Sequence, residues 1–232
     1  MIMINSKEDY LYYIEADRIA LQRKQVKTFK DFVQNVLIPD YIWKFQKYLR
    51  KVEYFKNCKN DFFSKLYYIY IYRKYKKIGL KLGFSIPANV IGPGLAIVHY
   101  GTIVISGYAK IGSNMRIHAC TNIGLANGKA PIIGNNCYIG PGAKLYGGII
   151  IGDDVVIGAN SVVNKSFPEN NIAIAGVPAK KIGENIYHLI IKATDFLNNN
   201  ITEIKEIEKI LLRENPYLKS IINNKKINSI YN

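Results

Sequence analysis

From Ile91 onward, aliphatic side chains return on a beat of six residues. Ile91, Ile97 and Ile103 open the series, and Ile111, Ile117 and Ile123 resume it after a two-residue slip. Ile133, Ile139, Leu145, Ile151, Ile157 and Val163 then run without a break. The position four residues past a beat is mostly small or aliphatic, as at Gly101, Gly107, Thr121, Cys137, Ala143, Val155 and Ser161. Gly often follows the beat directly, as at Gly92, Gly112, Gly134, Gly140, Gly152 and Gly158. A period of six suits neither the 3.6 of a helix nor the plain alternation of a strand. It suits a parallel β-helix in which three short strands make one triangular coil.

That template sorts the side chains. The beat residue and the small one four places on point inward, and the other four positions face out. Coils stack at about 4.8 Å, so backbone N–H and C=O groups pair along the axis. Gly and Asn supply the corner conformations that β-branched residues resist. Four full coils begin at Ile91, Ile111, Ile133 and Ile151, and a partial coil precedes them around Ile86 to Val90. Extra residues are absorbed at Gly107 to Lys110 and at Leu125 to Ile132. Inserts must leave a solenoid at its corners, where they commonly line a binding face.

The flanks read as helix. Tyr10, Tyr13, Ile14 and Ile19 mark a first helix, and Phe29, Phe32, Val33 and Val36 continue at helical spacing until Pro39. Residues 41–57 and 61–82 form two more, the last with a tyrosine-rich run and the basic cluster Arg73, Lys74, Lys76 and Lys77. After Gly183, Glu184 to Asn198 and Thr202 to Arg213 read as helices, with Asn215-Pro216 as a stop. The expected organisation is a helical N-terminal domain (1–83), a β-helix domain (84–183) and a helical tail (184–232). The fold class is mainly β, a left-handed parallel β-helix with helical ends.

Charge is uneven. Residues 1–83 hold 18 Lys/Arg against 8 Asp/Glu, residues 84–183 hold 7 against 3, and the tail holds 7 against 6. The excess therefore sits outside the repeat, and either reflects composition alone or favours an anionic partner. No nucleic-acid motif accompanies it. No stretch of eighteen apolar residues spans a membrane, and the N-terminus lacks a signal-peptide layout, so a cytoplasmic protein is expected. The 61–82 helix is expected to pack on the solenoid base or a neighbouring subunit, with weak association with a membrane surface as the alternative. Cys58, Cys120 and Cys137 make no disulfide framework; Cys137 falls in an inward position and Cys120 in an outward one.

Three histidines are present. His188 falls in the tail. His99 and His118 are the third and second residues of their hexads, so both face outward, which disfavours a core role for either.

The stretch from Ser85 to Val104, with Ile97-Val-His-Tyr-Gly101 in it, resembles the serine acetyltransferase branch of the hexapeptide acyltransferases. So do Ile139-Gly-Pro-Gly-Ala-Lys144, Ile157-Gly-Ala-Asn-Ser-Val-Val163 and Ala175-Gly-Val-Pro-Ala-Lys180, and the resemblance covers roughly residues 84–183. It implies that His99 is the base that deprotonates an acceptor hydroxyl. His118 and Tyr100 are the candidates for contact with the acceptor. Acetyl-CoA is the implied donor, its arm lying near Gly124, Leu125, Pro141, Gly142, Ala159, Asn160 and Gly176. Lys180 and Lys181 would lie near its phosphates, and a backbone N–H near Gly124 would be the oxyanion donor. The family forms trimers with active sites between subunits, so a homotrimer is expected, and no metal.

Two departures bear on the acceptor. The family carries Asp immediately before this histidine and another at the start of the preceding coil; here stand Val98 and Phe84 or Ser85. Its second histidine, at the end of the inserted loop, is replaced by Ala130. The solenoid carboxylates are Asp153, Asp154 and Glu169, and Asp153 is about three rungs (roughly 14 Å) from His99. A backbone carbonyl, or a carboxylate from the N-terminal segment or a neighbour, must then fix the imidazole. These departures argue against free serine and suit a neutral hydroxyl; the resemblance to glycan O-acetyltransferases then implies a sugar hydroxyl of a surface polysaccharide or its precursor as the leading acceptor. Serine O-acetylation is the alternative, and a non-catalytic assembly module the reading from another class. A β-helix carbonic anhydrase would need three convergent histidines.

Overall fold

The computed structural model describes residues 3–26, 28–185 and 190–214. Four helices come first: α1 (Lys7–Ala20), α2 (Phe29–Leu37), α3 (Tyr41–Cys58) and α4 (Phe62–Leu82). Ser6, Thr28, Asp40 and Asp61 cap their N-termini, each accepting from the backbone N–H three residues on. Gly83, left-handed at φ 79, ends α4 and turns the chain into the solenoid.

The solenoid has three parallel faces. Face one stacks Phe84–Ser85, Ile103–Ile105, Thr121–Gly124, Lys144–Tyr146 and Val162–Val163. Face two stacks Lys110–Ile111, Ile132–Ile133 and Ile150–Ile151, with single bridges added at Ile91 and Phe167. Face three stacks Ala96–Ile97, Arg116–Ile117, Tyr138–Ile139, Val156–Ile157 and Ile172–Ala175. Inside runs one continuous column of buried Ile, Leu and Val, with Met115, Thr121, Cys137, Ala143, Val155 and Ser161 in the second inward position. Burial pushes the Cys137 thiol up to about 12, as suits a core residue. The glycines that follow the beat on face two are forced by the stack: a Cβ on Gly112 would lie 2.7 Å from the carbonyl oxygen of Gly134. One corner is a ladder of left-handed residues, Asn114, Asn136, Asp154 and Asn171. Asn114 donates to Asn136 (2.9 Å) and Asn136 to Asp154 (3.3 Å).

Two expectations need correction. Ile103 pairs with Thr121 and Ile105 with Ile123, so the beat runs Ile97, Ile105, Ile111. The two-residue slip therefore lies between Val98 and Thr102 and not at Gly107 to Lys110. Gly107 is an exposed corner residue and Ala109 takes the inward place, while Ile103 fills the position expected of Gly101. Among the described residues, the helix expected over Glu184 to Asn198 forms only from Ala193, and Glu184 instead ends the strand Lys180–Glu184, which folds back antiparallel on Ile172–Ala175 and closes face three. The tail helices are α5 (Ala193–Asn198) and α6 (Ile204–Glu214). His188 and Asn215-Pro216 lie outside the described residues.

A solenoid leaves the polar edge of its first coil unpaired, and here the helices satisfy it with side chains. Asp17 accepts from the N–H groups of Gly94 (3.0 Å) and Leu95 (2.8 Å). Gln46 donates to the carbonyl of Leu95 (2.7 Å) and accepts from the N–H of Ile97 (3.3 Å). Arg50 donates to the carbonyls of Ile91 (2.9 Å) and Gly92 (2.7 Å), and Glu53 accepts from the N–H of Asn89 (2.8 Å). Tyr75 donates to the carbonyl of Ile86. Ile71, Tyr75, Ile78 and Leu82 of α4 join the solenoid core, so this helix packs on the base; its other side exposes Phe62, Phe63, Leu66, Ile69 and Tyr70. A second cluster joins α1 to the tail over face three, through Ala16, Ile19, Ala96, Ile191, Ile204 and Ile207. Among the described residues, no helix is long and apolar enough to cross a membrane.

Candidate active site

The corner between faces three and one carries the site. Pairing with the coil above persists as far as Val98, whose N–H reaches the carbonyl of Ile117 (3.2 Å). It resumes with Ile103 against Thr121. Between them the insert pushes His99 and Tyr100 outward, and both are exposed. Gly101, at φ 133, lets the chain pass close over the next coil, where a Cβ would meet that of Ala119 at 3.0 Å.

His118 stands on the adjacent coil with its ring centroid 5.9 Å from that of His99 and 5.0 Å from that of Tyr138. It is half-buried, and its Nε2 is shielded from solvent with no hydrogen-bond partner among the described residues. Burial, then the nearby Arg116 and His99, pushes its pKa down to about 4. The ring is therefore neutral at physiological pH.

Arg116 precedes the inward Ile117, so it leaves face three on the same side as His118, about 6.6 Å further back along the strand. It is aligned with Ala96 on one side and Tyr138 on the other. Burial lowers its pKa, although a guanidinium stays charged in any case. Among the described residues it makes no ion pair with a carboxylate. Sequence reasoning passed over this residue. The available signal was that Arg116 is the one arginine between residues 84 and 183 and occupies an outward position two residues before His118.

Above the histidines, small residues line the same corner. Gly142 donates to the carbonyl of Ala119 (3.0 Å), Asn160 to that of Pro141 (2.8 Å) and Val162 to that of Gly176 (3.0 Å). Ala119, Pro141, Gly142, Ala159, Asn160 and Gly176 thus form a column that leaves room for an extended chain. A Cβ on Gly142, at φ 78, would lie 2.0 Å from Oδ1 of Asn160. The N–H groups of Gly142 and Asn160 are used between coils, so a bound chain must find other donors here.

The remaining expected residues lie elsewhere. Gly124 and Leu125 are at the far end of the strand Thr121–Gly124 on face one, past the Ala119–Cys120 corner. Within one chain they are set apart from the corner that carries His99. Lys180 and Lys181 are exposed on the closing strand, where Lys181 pairs with Glu169 (2.5 Å). Asp17 and Glu53, the buried carboxylates of the N-terminal segment, are engaged by Arg50 and do not orient His99. Asp153 is tied to Asn135 at another corner. Cys120 is exposed, and its carbonyl accepts from Lys144 (2.5 Å).

The fold is similar to that of known acyltransferases. The family model for the bacterial transferase hexapeptide (six repeats) matches residues 130–165. Over those residues the solenoid is similar to the bacterial transferase hexapeptide repeats. The chain is also similar to serine acetyltransferases. It is 38% identical over 103 residues to a serine acetyltransferase of Mycobacterium tuberculosis (strain ATCC 25618 / H37Rv), covering 43% of this chain and 44% of that one. Over 53 residues it is 53% identical to the putative lipopolysaccharide biosynthesis O-acetyl transferase WbbJ of Escherichia coli (strain K12), covering 23% and 26%. Among solved structures, serine acetyltransferase in complex with coenzyme A from Brucella abortus strain S19 superposes with a TM-score of 0.57 at 27% identity, over 77% of this chain and 69% of that one. The chain spans about half the length of the curated relatives it matches.

Proposed function

We propose that this chain is an O-acetyltransferase that moves an acetyl group from acetyl-CoA to a hydroxyl, with His99 as general base. The observation that carries the reading is the extruded His99 at the foot of a column of small residues, on a hexapeptide transferase solenoid. Acetyl-CoA supplies an acyl thioester, and the column from Ala119 to Gly176 would hold its arm. His99 takes the proton of the acceptor hydroxyl as the oxygen attacks, then gives it to the departing sulfur. Exposure of the ring in a single chain fits a site completed between subunits, as in the expected homotrimer.

For the acceptor we infer L-serine. Serine acetyltransferases match about 100 residues of the sequence and superpose over about three quarters of the chain, whereas the WbbJ match is confined to 53 residues. This reverses the order expected from the sequence. A neutral sugar hydroxyl stays as the second reading, favoured by one observation: among the described residues no carboxylate is hydrogen-bonded to His99, where the family's partner positions hold Val98 and Ala130.

The test is thiol release from acetyl-CoA with L-serine and with neutral sugars, for the native chain and His99→Ala. General-base loss should lower kcat by about 100- to 10,000-fold with CoA affinity kept within about twofold. Undiminished turnover by His99→Ala would remove the assigned role, and turnover with sugars alone would select the second reading.

A further inference from the structure

The corner holds a cation that acetyl transfer as described leaves without a task. Arg116 is half-buried, carries no carboxylate partner among the described residues, and projects beside His118, whose ring stands 5.9 Å from that of His99. Desolvating a guanidinium without an ion pair is costly, and a site that binds an anion offsets that cost only when loaded. Beside it, Nε2 of His118 is shielded and unpartnered, a loss of about 1–3 kcal/mol for a buried polar atom unless a ligand or water meets it. An unpaired guanidinium and an unpartnered ring nitrogen two residues apart describe a receptor for a planar oxyanion, once the ring turns Nε2 outward as an N–H.

We propose that Arg116 and His118 together bind a carboxylate carried by the acceptor, placing its hydroxyl at His99. The inference rests on the O-acetyltransferase reading above and deepens it by naming the group that selects the acceptor. Arg116 offers the guanidinium fork that matches a carboxylate edge to edge. His118, with its proton on Nε2, adds one N–H. Its neutrality matters, because the imidazole then competes with neither Arg116 for charge nor His99 for the acceptor proton. The spacing suits a short molecule: the His99 and His118 rings are adjacent, so carboxylate and hydroxyl must be only a few bonds apart, as in a 2-amino-3-hydroxy acid. A neutral hexose would leave Arg116 buried against the sugar without a counter-charge.

The experiment is steady-state kinetics of the full chain and its Arg116→Gln and Arg116→Lys variants with L-serine and L-serinamide, which differ in whether the carboxylate is present. Loss of a charge-assisted pair should lower kcat/KM for L-serine about 100-fold, mainly through KM. The KM for acetyl-CoA should stay within about twofold, which also reports that the variant is folded. Arg116→Lys should recover part of the loss, and L-serinamide turnover should be low in the native chain and unchanged in Arg116→Gln. Equal losses with both acceptors, no loss with either, or a raised KM for acetyl-CoA would each overturn the assignment. Failure of the broader reading looks different: the native chain would release no thiol with any acceptor, and the carboxylate site would fall with it.

Discussion

Replacing Arg50 by Met should cost this fold more than any other single side-chain change in its polar base. Arg50 is fully buried on α3 and satisfies four groups at once. Its Nε and Nη2 engage both oxygens of Asp17 (2.8 and 3.2 Å), Nη1 engages Glu53 (3.0 Å), and both terminal nitrogens reach carbonyls of the first coil. The Tyr13 ring covers the guanidinium, 4.8 Å from its centroid. Without the cation two carboxylates remain buried side by side, and two carbonyls lose their donor. Breaking a buried ion pair costs about 3–5 kcal/mol, and orphaned carbonyls bring the expected loss to about 4–6 kcal/mol. That is a large part of the ~5–15 kcal/mol available to a typical domain. The loss should shrink in mild acid. In the native fold burial raises the pKa of Glu53 and Arg50 counters it; without Arg50 the folded variant takes up a proton at higher pH than the native fold does, and the like-charge penalty is relieved below that point. Urea denaturation at fixed protein concentration measures the loss, and amide exchange at Gly94 and Leu95 localises it, since both N–H groups donate to Asp17. The triple change Arg50→Met, Asp17→Asn, Glu53→Gln should regain most of the stability, because the buried charge is then gone. An Arg50→Met variant within about 1 kcal/mol of native, or a triple variant no better than the single one, would refute the reasoning.

Two further outcomes follow from the same physics. His118 has a folded-state pKa near 4, below its unfolded value, so the native chain should lose stability relative to His118→Asn as pH falls from about 6.5 toward 4, and no further below that. Allowing for a half-exposed ring, the change is about 1–2 kcal/mol by denaturation across that range, and a pH-independent difference would contradict it. Gly112→Ala should cost about 3 kcal/mol, since its Cβ would press on backbone atoms of Gly134, whereas Gly183→Ala, which meets nothing within 4 Å, should stay within about 0.5 kcal/mol.

The period of six made the solenoid legible because burial in a triangular coil repeats, and each beat residue answers to the same constraint. What the period could not decide was the position of a slip. In Ile103-Val104-Ile105 both isoleucines suit the interior, and spacing from Ile97 alone favours Ile103. Only the pairing of Ile105 with Ile123 moves the two extra residues to His99 and Tyr100. The polar base was illegible for another reason. Asp17, Gln46, Arg50 and Glu53 sit on helices that read as charged surface, and their targets are backbone groups of the first coil, which carry no sequence signal. Glu184 misled because it follows Gly183 as a helix start would, while the free edge of Ile172–Ala175 above the last coil recruits Lys180–Glu184 as a strand.

The displaced slip shapes the proposed catalytic corner. A histidine in a regular hexad would lie flat against the coil, its ring held by the rungs above and below. Because the insert falls on His99 itself, the ring is lifted off the prism while His118, in a regular hexad of the next coil, remains half-buried beside it. The two imidazoles thereby acquire different environments from one local irregularity: one exposed and able to reach a substrate, the other desolvated and kept neutral. Arg116 is paired on both sides in face three, so the proposed anion-binding pair stands on laddered backbone while the proposed base stands on the insert. Removing the insert, by deleting Tyr100 and Gly101, should restore regular stacking and leave the solenoid folded. It should also draw His99 against the coil and abolish thiol release, and full activity in a folded deletion variant would show that the lifted corner is not what places the base.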